Sequence, residues 1–274
     1  MEKEAVEHIR IKKIRSKEIS FEEDLLACEE PLEILIKLPG TSEHTAPKTI
    51  SITMRTPGAD SDLALGFLFT EGILTDFSQV AKVAEGNNST LVTLKSAETV
   101  DLSKLERHFY TSSSCGVCGK TSIDFLRLAP KWKSVSTDWK VSSEVLQTLP
   151  AKLRDQQAVF ERTGGLHAAA LFSNSGELLQ LCEDIGRHNA LDKLIGQAFQ
   201  NDTLPLEKYL LLLSGRASFE LIQKAVMAGI PMVAAVGAPS NLAVELAKEF
   251  NISLIGFLKR HGFNIYNEGN CIEI

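Results

Sequence analysis

Residues 166–199 read LHAAALFSNSGELLQLCEDIGRHNALDKLIGQAF, and this stretch sets the pattern of the C-terminal half. Two apolar segments flank Asn174-Ser175-Gly176, which is typical of a β-hairpin. From Arg187 onward the apolar residues recur at helical spacing, which predicts a helix ending near Phe199. The stretch therefore predicts two antiparallel strands followed by a helix.

The rest of the C-terminal half alternates buried strands with helices. Continuous apolar runs at YLLLLSG (209–215), IPMVAAVG (230–237) and ISLIGFL (252–258) predict strands, and the segments between them predict helices. A further helix is expected over residues 142–160, bent or split by Pro150. Such alternation implies a mixed or parallel sheet with right-handed crossovers. We therefore expect an α/β fold of the cytidine deaminase-like class, a three-layer α/β/α sandwich.

The N-terminal part has a different pattern and predicts a smaller α+β domain. The expected strands and the one expected helix cover 31–38, 49–56, 91–96 and about 61–72. We place this domain at residues 1–110 and the α/β domain at residues 142–274. Between them, residues 111–141 are expected to form a mobile loop and linker that contains a CxxC motif.

Composition narrows the function classes. The chain has 274 residues, of which 44% are apolar and 23% charged, as in ordinary globular proteins. The net charge of -6 argues against a general binder of nucleic acid or of membrane surfaces. The charged N-terminus lacks the apolar segment of a signal peptide, and the apolar runs are too short to span a bilayer. Five cysteines without disulfide-framework spacing fit a reducing compartment, so we expect a cytoplasmic protein with no nucleic-acid or membrane partner.

The ligands of zinc deaminases are missing from the positions where this fold would place them. Those enzymes use H-x-E and P-C-x-x-C at two helix starts. Here His188 opens the corresponding helix, but Ala190 replaces the glutamate, and SGRAS (214–218) contains no cysteine. The sequence therefore predicts no deaminase zinc site.

Three loops that follow the predicted parallel strands are suited to anions. They are SGRAS (214–218), GAPSN (237–241) and FLKRHG (257–262). Loops of this kind present free amides at helix starts, and Arg216, Lys259 and Arg260 add positive charge. At any single loop the glycines and serines are equally consistent with tight turns and caps. Convergence of all three on one sheet edge favours a nucleotide or phosphate site, although no GxGxxG motif or P-loop is present.

Two histidines are further candidates for the site. His188 has Asp184 and Asp192 four residues to either side, so a carboxylate is placed to orient its imidazole. The alternative is a histidine that only caps the helix. His167 stands on a predicted strand before three alanines and is either a ligand or a satisfied core side chain.

Residues 111–120, TSSSCGVCGK, place two thiols in a Ser/Gly-rich segment with few apolar neighbours. Structural zinc usually takes four ligands, and the other cysteines form no second pair. A thioredoxin-like dithiol would open a helix directly after the first strand of a βαβ unit. The third interpretation is a mobile nucleophile, since loop amides and Lys120 would lower a thiol pKa. We favour the third interpretation for Cys115 and Cys118.

Several of these stretches together resemble the FdhD family, the formate dehydrogenase accessory sulfurtransferases. The resemblance rests on long motifs that occur in order over most of the chain. They are ALGFLFTEGI (64–73), SSSCGVCGK (112–120), TGGLHAAAL (163–171), EDIGRHNALDKLIG (183–196), SGRASFELIQKA (214–225), GAPSNLAVELAKE (237–249) and LIGFLKRHGFNIYN (254–267).

The resemblance implies a sulfur carrier that acts through a cysteine persulfide. Members of the family take sulfur from a cysteine desulfurase and pass it to the molybdenum (or tungsten) bis-guanine-dinucleotide cofactor of formate dehydrogenase. The persulfide would form on Cys115, with Cys118 relaying the sulfur or resolving the bond. The cofactor-binding stretch of the family falls on Phe257, Leu258, Lys259, Arg260, His261 and Gly262. A homodimer is also implied.

The loops described above would then hold the guanosine diphosphate ends of Mo-bis(molybdopterin guanine dinucleotide), and GDP-like nucleotides would occupy the same site. We add further candidate cofactor-binding residues, which lie at the starts of the predicted helices. These are His188, Asp192, Ser214, Gly215 and Arg216. The alternative is a non-catalytic scaffold that binds a nucleotide or cofactor and uses the cysteine pair to bind zinc.

Overall fold

The computed structural model describes residues 5–16, 18–39, 46–96, 132 and 138–273. Its N-terminal region contains, among the described residues, two small sheets and one α-helix. Strands β1 (Val6–Arg15) and β2 (Glu18–Ala27) form an antiparallel hairpin, which was not expected from the sequence pattern. A four-stranded sheet has the order β4-β3-β6-β5 and consists of β3 (Glu30–Lys37), β4 (Lys48–Arg55), β5 (Val80–Gly86) and β6 (Ser89–Leu94). Helix α1 (Asp60–Thr70) follows β4, and a 3₁₀ helix (Phe77–Gln79) precedes β5. The helix and the three strands expected from the sequence are confirmed.

The C-terminal half follows the predicted alternation of strands and helices. It begins with β7 (Val141–Ser142), α2 (Ser143–Gln156) and α3 (Ala158–Thr163). The hairpin and helix of the opening stretch are β8 (His167–Phe172), β9 (Leu178–Asp184) and α4 (Arg187–Gln200). There follow β10 (Leu210–Leu213), α5 (Phe219–Met227), β11 (Met232–Ala235), α6 (Asn241–Glu249) and β12 (Ser253–Lys259). The chain continues into two further strands, β13 (Gly262–Asn267) and β14 (Ile272–Glu273).

A six-stranded mixed sheet forms the centre of the fold, with the order β13-β12-β11-β10-β8-β9. Strands β10, β11 and β12 are parallel, whereas β8, β9 and β13 each run antiparallel to their neighbours. Because β8 runs antiparallel to β10, its first residue, His167, lies at the edge where β10, β11 and β12 end. The same edge holds the end of β9, since His167 pairs with Asp184.

Helices cover both faces of this sheet. Alternate strand residues point to opposite sides, so Leu211 and Leu213 belong to one buried cluster and Leu210 and Leu212 to another. The first cluster includes residues of α1, α4, α5 and α6. The second includes residues of α2, β7 and β14. The sheet is therefore the middle of three layers.

The first cluster also continues into the N-terminal sheet. Leu32 and Ile34 of β3 are fully buried in the same cluster as Leu191 of α4. Trp132 packs against this cluster as well, and its ring centroid lies 6.4 Å from that of Phe69 in α1. The N-terminal sheet, α1 and the central sheet therefore share one hydrophobic core.

Local sequence signals account for several element boundaries. Gly176 turns the β8–β9 hairpin with a φ of 76°, and Ser240 caps α6 by accepting a hydrogen bond from the amide of Ala243. Pro150 lies inside α2, which continues to Gln156, so the proline does not split this helix. The break falls at Gln157, between α2 and α3.

Within the described part of the chain, no helix is long and apolar enough to cross a membrane.

Candidate functional site

The loops that follow the parallel strands lie side by side at one edge of the central sheet. The amide of Gly237, after β11, donates to the carbonyl of Gly215, after β10, over 2.9 Å. The amide of Phe257 in β12 donates in turn to the carbonyl of Gly237 over 3.0 Å. The backbones of Ala217 and Pro239 also form a bridge. The expected convergence of the three segments is therefore confirmed by direct backbone contacts.

Two glycines make this close approach possible. A Cβ on Gly237 would lie 3.0 Å from both the Cγ and the amide nitrogen of Arg216. A Cβ on Gly256 would lie 2.7 Å from the Cδ of Pro239. Larger residues at either position would push the loops apart. The side chain of Arg216 is exposed, so its guanidinium places positive charge at this edge.

The third segment differs from its expected structure. The sequence predicts a loop at 257–262 after the last strand of the sheet, whereas the structure has a β12–β13 hairpin there, with Lys259 paired to Gly262. Phe257 has a φ of 53° within a register shift, and its side chain is 42% exposed. No helix begins in this segment. An anion here would therefore meet the backbone and side chains of a β-turn and not the N-terminal end of a helix.

Burial divides the residues of this hairpin segment into two groups. Leu258 is fully buried in the second cluster, so its side chain belongs to the core. Phe257, Lys259, Arg260 and His261 are exposed. The exposed group includes two basic side chains, Lys259 and Arg260, which suit an anionic ligand.

His188 lies in the first turn of α4, close to the loop after β10. Its Nε2 is 3.4 Å from the Oγ of Ser218 and 3.9 Å from a carboxylate oxygen of Glu220. Burial, Lys224 and Arg187 lower the pKa of His188 to about 4, against the opposing effect of Glu220. The imidazole is therefore neutral at pH 7 and acts as a hydrogen-bonding group without charge.

His167 stands at the same edge, next to the loop after β10. Its Nδ1 is 3.3 Å from the position that a Cβ on Gly215 would take. Burial and the charges of Arg187 and Arg216 lower the pKa of His167. The Nε of Arg187 is buried and has no hydrogen-bond partner among the described residues. The edge therefore combines two neutral imidazoles with two guanidinium groups.

Asp184, at the end of β9, organises the start of α4. It is fully buried and pairs with Lys193 at 2.7 Å. Its carboxylate also accepts hydrogen bonds from the amide of Gly186 at 2.8 Å and from that of Thr56 at 3.2 Å. Thr56 therefore helps to hold Asp184 in place beneath the candidate site. No local sequence pattern could have linked Thr56 with Asp184, because the two residues are far apart in the chain.

Asp192 is also buried and paired with a lysine. Its carboxylate lies 3.0 Å from the Nζ of Lys224 in α5 and accepts a hydrogen bond from Thr70 at 2.9 Å. Burial raises the pKa of Asp192 to about 6, although Lys224 and Thr70 act in the opposite direction. The polar contacts of His188 among the described residues are with Ser218 and Glu220. The expectation that Asp184 or Asp192 orients its imidazole is therefore wrong. The structure places Asp192 between α1, α4 and α5, away from the loops.

The two cysteines predicted to carry sulfur, Cys115 and Cys118, lie outside the described residues. Cys182 is buried in β9, and burial raises the pKa of its thiol to about 12. Cys271 is buried as well. The described ranges contain no group of three or more His, Cys, Asp or Glu residues that is suited to a metal ion. Cys182 and Cys271 are therefore structural in character.

These features define a mixed α/β protein with an arginine-bearing edge, suited to an anionic ligand, at the carboxyl ends of its parallel strands. The sequence profile of the FdhD/NarQ family matches residues 27–273. The chain is 49% identical over 271 residues to the sulfur carrier protein FdhD of Streptomyces coelicolor, an alignment that covers 95% of this chain and 93% of that protein. It is 43% identical over 284 residues to the sulfur carrier protein FdhD of Mycobacterium tuberculosis, with 98% and 99% covered. The chain belongs to the FdhD/NarQ family.

A solved structure shares the fold. The crystal structure of a proposed formate dehydrogenase accessory protein from Desulfotalea psychrophila matches with a TM-score of 0.75 at 19% identity. The match covers 98% of this chain and 100% of that chain. The N-terminal and C-terminal parts therefore occur together in this arrangement in both molecules.

Proposed function

We propose that this chain is a sulfur carrier for formate dehydrogenase. It takes a sulfur atom from a cysteine desulfurase as a persulfide on Cys115 and passes it to the molybdenum or tungsten bis-guanine-dinucleotide cofactor of that enzyme. The observation that carries the proposal is the 49% identity, over 95% of the chain, to a sulfur carrier protein FdhD. The central sheet with helices on both faces also supports a cytidine deaminase-like sandwich, used here without the zinc chemistry of deaminases.

The proposed transfer has two balanced steps. In the first, the thiolate of Cys115 attacks the outer sulfur of the donor persulfide, so a new S–S bond forms and the donor leaves as a thiolate. In the second, the thiolate of Cys118 attacks the inner sulfur of the Cys115 persulfide. The outer sulfur leaves as sulfide, with the S–S electron pair, toward the metal of the cofactor. The two cysteines are left as a disulfide, which a cellular dithiol reductant returns to thiols.

The edge described above is the proposed site for the guanosine diphosphate ends of the cofactor. The loop that contains Ser214, Gly215 and Arg216 lies on a segment that contacts the segment of the exposed residues Phe257, Lys259, Arg260 and His261. Phosphates bind well where free amides and guanidinium groups converge. The neutral imidazole of His188 is a candidate partner for a ribose hydroxyl or a guanine edge. In this proposal Asp192 does not contact the cofactor, because its carboxylate is bound inside the core by Lys224 and Thr70. Its part is to stabilise the packing of the helices behind the site.

Mass spectrometry tests the proposed activity. After incubation with a cysteine desulfurase and cysteine, the intact mass should increase by one sulfur atom and return to its starting value with dithiothreitol. Cys115→Ala should abolish this gain, whereas the matched variant Cys182→Ser should keep it. A wild-type protein without the gain, or an equal gain in Cys115→Ala, would overturn the proposal.

The same variants separate the proposal from the scaffold alternative. If the cysteine pair only binds metal, purified protein should contain stoichiometric zinc that Cys115→Ala and Cys118→Ala both lose. Zinc at that level together with no sulfur adduct would favour the scaffold. A sulfur adduct on metal-free protein favours the carrier.

A further inference from the structure

Glu220 is an acidic side chain beside the arginine-bearing edge of the central sheet. It lies in the first turn of α5, directly after the loop 214–218, and its side chain is 44% exposed. One of its carboxylate oxygens is 3.9 Å from the Nε2 of His188, in the first turn of α4. Both helices begin at the edge where β9 and β10 end. The carboxylate therefore stands between two helix starts, next to the proposed nucleotide site.

No lysine or arginine of the described residues pairs with this carboxylate. Its close basic neighbour is His188, and burial lowers the pKa of His188 to about 4, so the imidazole is uncharged at pH 7. Lys224 follows one helical turn later, but its ammonium binds Asp192 at 3.0 Å and Glu71 at 3.5 Å. The Glu220 carboxylate is therefore available to accept hydrogen bonds from a ligand.

A phosphate group alone gives no reason for a carboxylate at this position. Arg216 lies four residues before Glu220, so their α-carbons are at most about 14 Å apart. A negative charge at this distance opposes the attraction of the arginine for phosphate. A ligand that suits both side chains has an anionic end for Arg216 and a separate end with N–H donors for Glu220. A nucleotide whose base carries such donors has this combination.

We propose that Glu220 is a specificity-determining residue that recognises the guanine base. Guanine carries N1–H and the N2 amino group side by side, and a carboxylate accepts one hydrogen bond from each, as it does from paired N–H groups of arginine. Adenine has an acceptor at N1, and hypoxanthine lacks the N2 amino group. Neither of these bases therefore matches both carboxylate oxygens. This role rests on the proposed function, since it assigns the guanine end of the cofactor.

The neighbours of Glu220 complete the match to the guanine edge. The Oγ of Ser218 lies 3.4 Å from the Nε2 of His188, so a hydroxyl and a neutral imidazole stand beside the carboxylate. Either group is able to donate a hydrogen bond to the O6 of guanine. The three side chains thus offer one donor and two acceptor oxygens, in the combination that O6, N1–H and the N2 amino group require.

Nucleotide selectivity of the full chain tests this role. Inosine diphosphate differs from guanosine diphosphate only in lacking the N2 amino group, so its binding leaves one carboxylate oxygen unpaired. Calorimetry on the wild-type protein should show guanosine diphosphate binding about tenfold or more tightly than inosine diphosphate. Equal affinity for these two nucleotides would overturn the role of Glu220 and leave the proposed nucleotide site in place. A chain that binds neither nucleotide would overturn both.

Glu220→Gln should remove this discrimination. The variant keeps the shape and loses one acceptor, so the ratio of the two dissociation constants should fall toward one. Because both constants are measured on one preparation, any inactive fraction cancels from the ratio. A charge that only stabilises the start of α5 would change stability and leave the ratio as it is. Glu207→Gln is the matched control, since this exposed glutamate lies at the other end of β10. An unchanged ratio in Glu220→Gln, or an equal loss in the control, refutes the proposal.

Xanthosine diphosphate gives a test through gain of binding, which misfolding cannot imitate. Its base has a carbonyl oxygen in place of the N2 amino group, so the Glu220 carboxylate repels it. The carboxamide of Glu220→Gln accepts a hydrogen bond from N1–H and donates one to that carbonyl. The affinity for xanthosine diphosphate should therefore rise about tenfold or more from the wild type to Glu220→Gln. The absence of any gain would contradict the assignment of Glu220 to the base.

Discussion

Gly66 of α1 and Gly196 of α4 face each other at a point where the two helix backbones touch. A Cβ on Gly66 would overlap the backbone carbonyl of Asp192, and a Cβ on Gly196 would overlap that of Asp62. The contact is reciprocal, so neither helix can carry a side chain at this point without moving the other. Since α1 connects β4 with the later strands of the N-terminal sheet and α4 covers the central sheet, this contact fixes how the two parts of the chain fit together.

Gly66→Ala tests this contact directly. Because the obstructing atoms are backbone, we expect a loss of about 2–4 kcal/mol in the free energy of unfolding, despite the better helix propensity of alanine. Gly165→Ala is the control, since its Cβ would meet only ordinary van der Waals neighbours. Urea denaturation should show a change below about 1 kcal/mol for the control. Similar values for the two variants would mean that the helices can separate without cost.

The buried pair of Asp192 and Lys224 gives a second stability prediction. Asp192→Asn keeps the shape but leaves the Lys224 ammonium without its main counter-charge, which should cost about 3–5 kcal/mol. Lys224→Met added to Asp192→Asn should recover part of the loss, because no uncompensated buried charge remains. Thermal and urea unfolding measure both values. Additive losses would show that the two groups do not interact.

The lowered pKa of His188 predicts acid sensitivity. Its folded pKa is about 4 and its ordinary value is 6.5, so the unfolded state binds more protons between these values. The His188 contribution is therefore full above about pH 6.5 and is lost as the pH falls toward 4. His188→Gln should reduce the fall in unfolding free energy between pH 7 and pH 4.5 by about 1–2 kcal/mol, because partial exposure screens the effect. An NMR titration of the His188 Cε1 proton with a midpoint near 6.5 would contradict this.

Cys182 should be chemically inert in the folded protein. With a thiol pKa of about 12, it has almost no thiolate at pH 8. Iodoacetamide at pH 8 should label Cys182 only in denaturant, as peptide mass mapping will show. Labelling of Cys182 in native protein at the rate of a free thiol would show that β9 opens readily.

Arg216 should contribute to nucleotide affinity. Its exposed guanidinium stands beside the converging loops, and a charged hydrogen bond to phosphate contributes about 1.5–3 kcal/mol. Arg216→Ala should therefore weaken guanosine diphosphate binding by about tenfold or more, measured by calorimetry. Arg162→Ala, an exposed arginine of α3, is the matched control. Unchanged affinity in Arg216→Ala would move the phosphate site elsewhere.

The central sheet was predictable because its strands are continuous apolar runs separated by helices of regular spacing. The opening hairpin, α4 and the strands β10 to β12 all follow from periodicity and turn residues. Strand β13 was missed, although GFNIYN alternates after a glycine, because its side chains are only half-buried. Strands β1 and β2 were missed because charged residues dominate them and most of their side chains are exposed.

The site was less predictable than the fold, because its support depends on distant pairs. Helical spacing brings Asp184 and Asp192 near His188, and this made a carboxylate–imidazole contact plausible. Buried lysines bind both carboxylates instead, because an unpaired buried carboxylate is far costlier than a histidine that bonds a serine hydroxyl. Asp184 also accepts a hydrogen bond from the amide of Thr56, and only the tertiary fold brings these two residues together.

In the proposed transfer, the position of Trp132 limits how far a sulfur atom on Cys115 could travel. Its ring packs on the same core that holds Phe69 and β6, so the chain on both sides of residues 97–131 is attached to one body. Cys115 precedes Trp132 by 17 positions, which sets a maximum tether length of about 60 Å. A donor or an acceptor must therefore come within that radius of the α1 surface. Sulfur transfer in this proposal therefore depends on how close to α1 the partner protein docks. A partner whose reacting group stays more than that distance away could not exchange sulfur with Cys115.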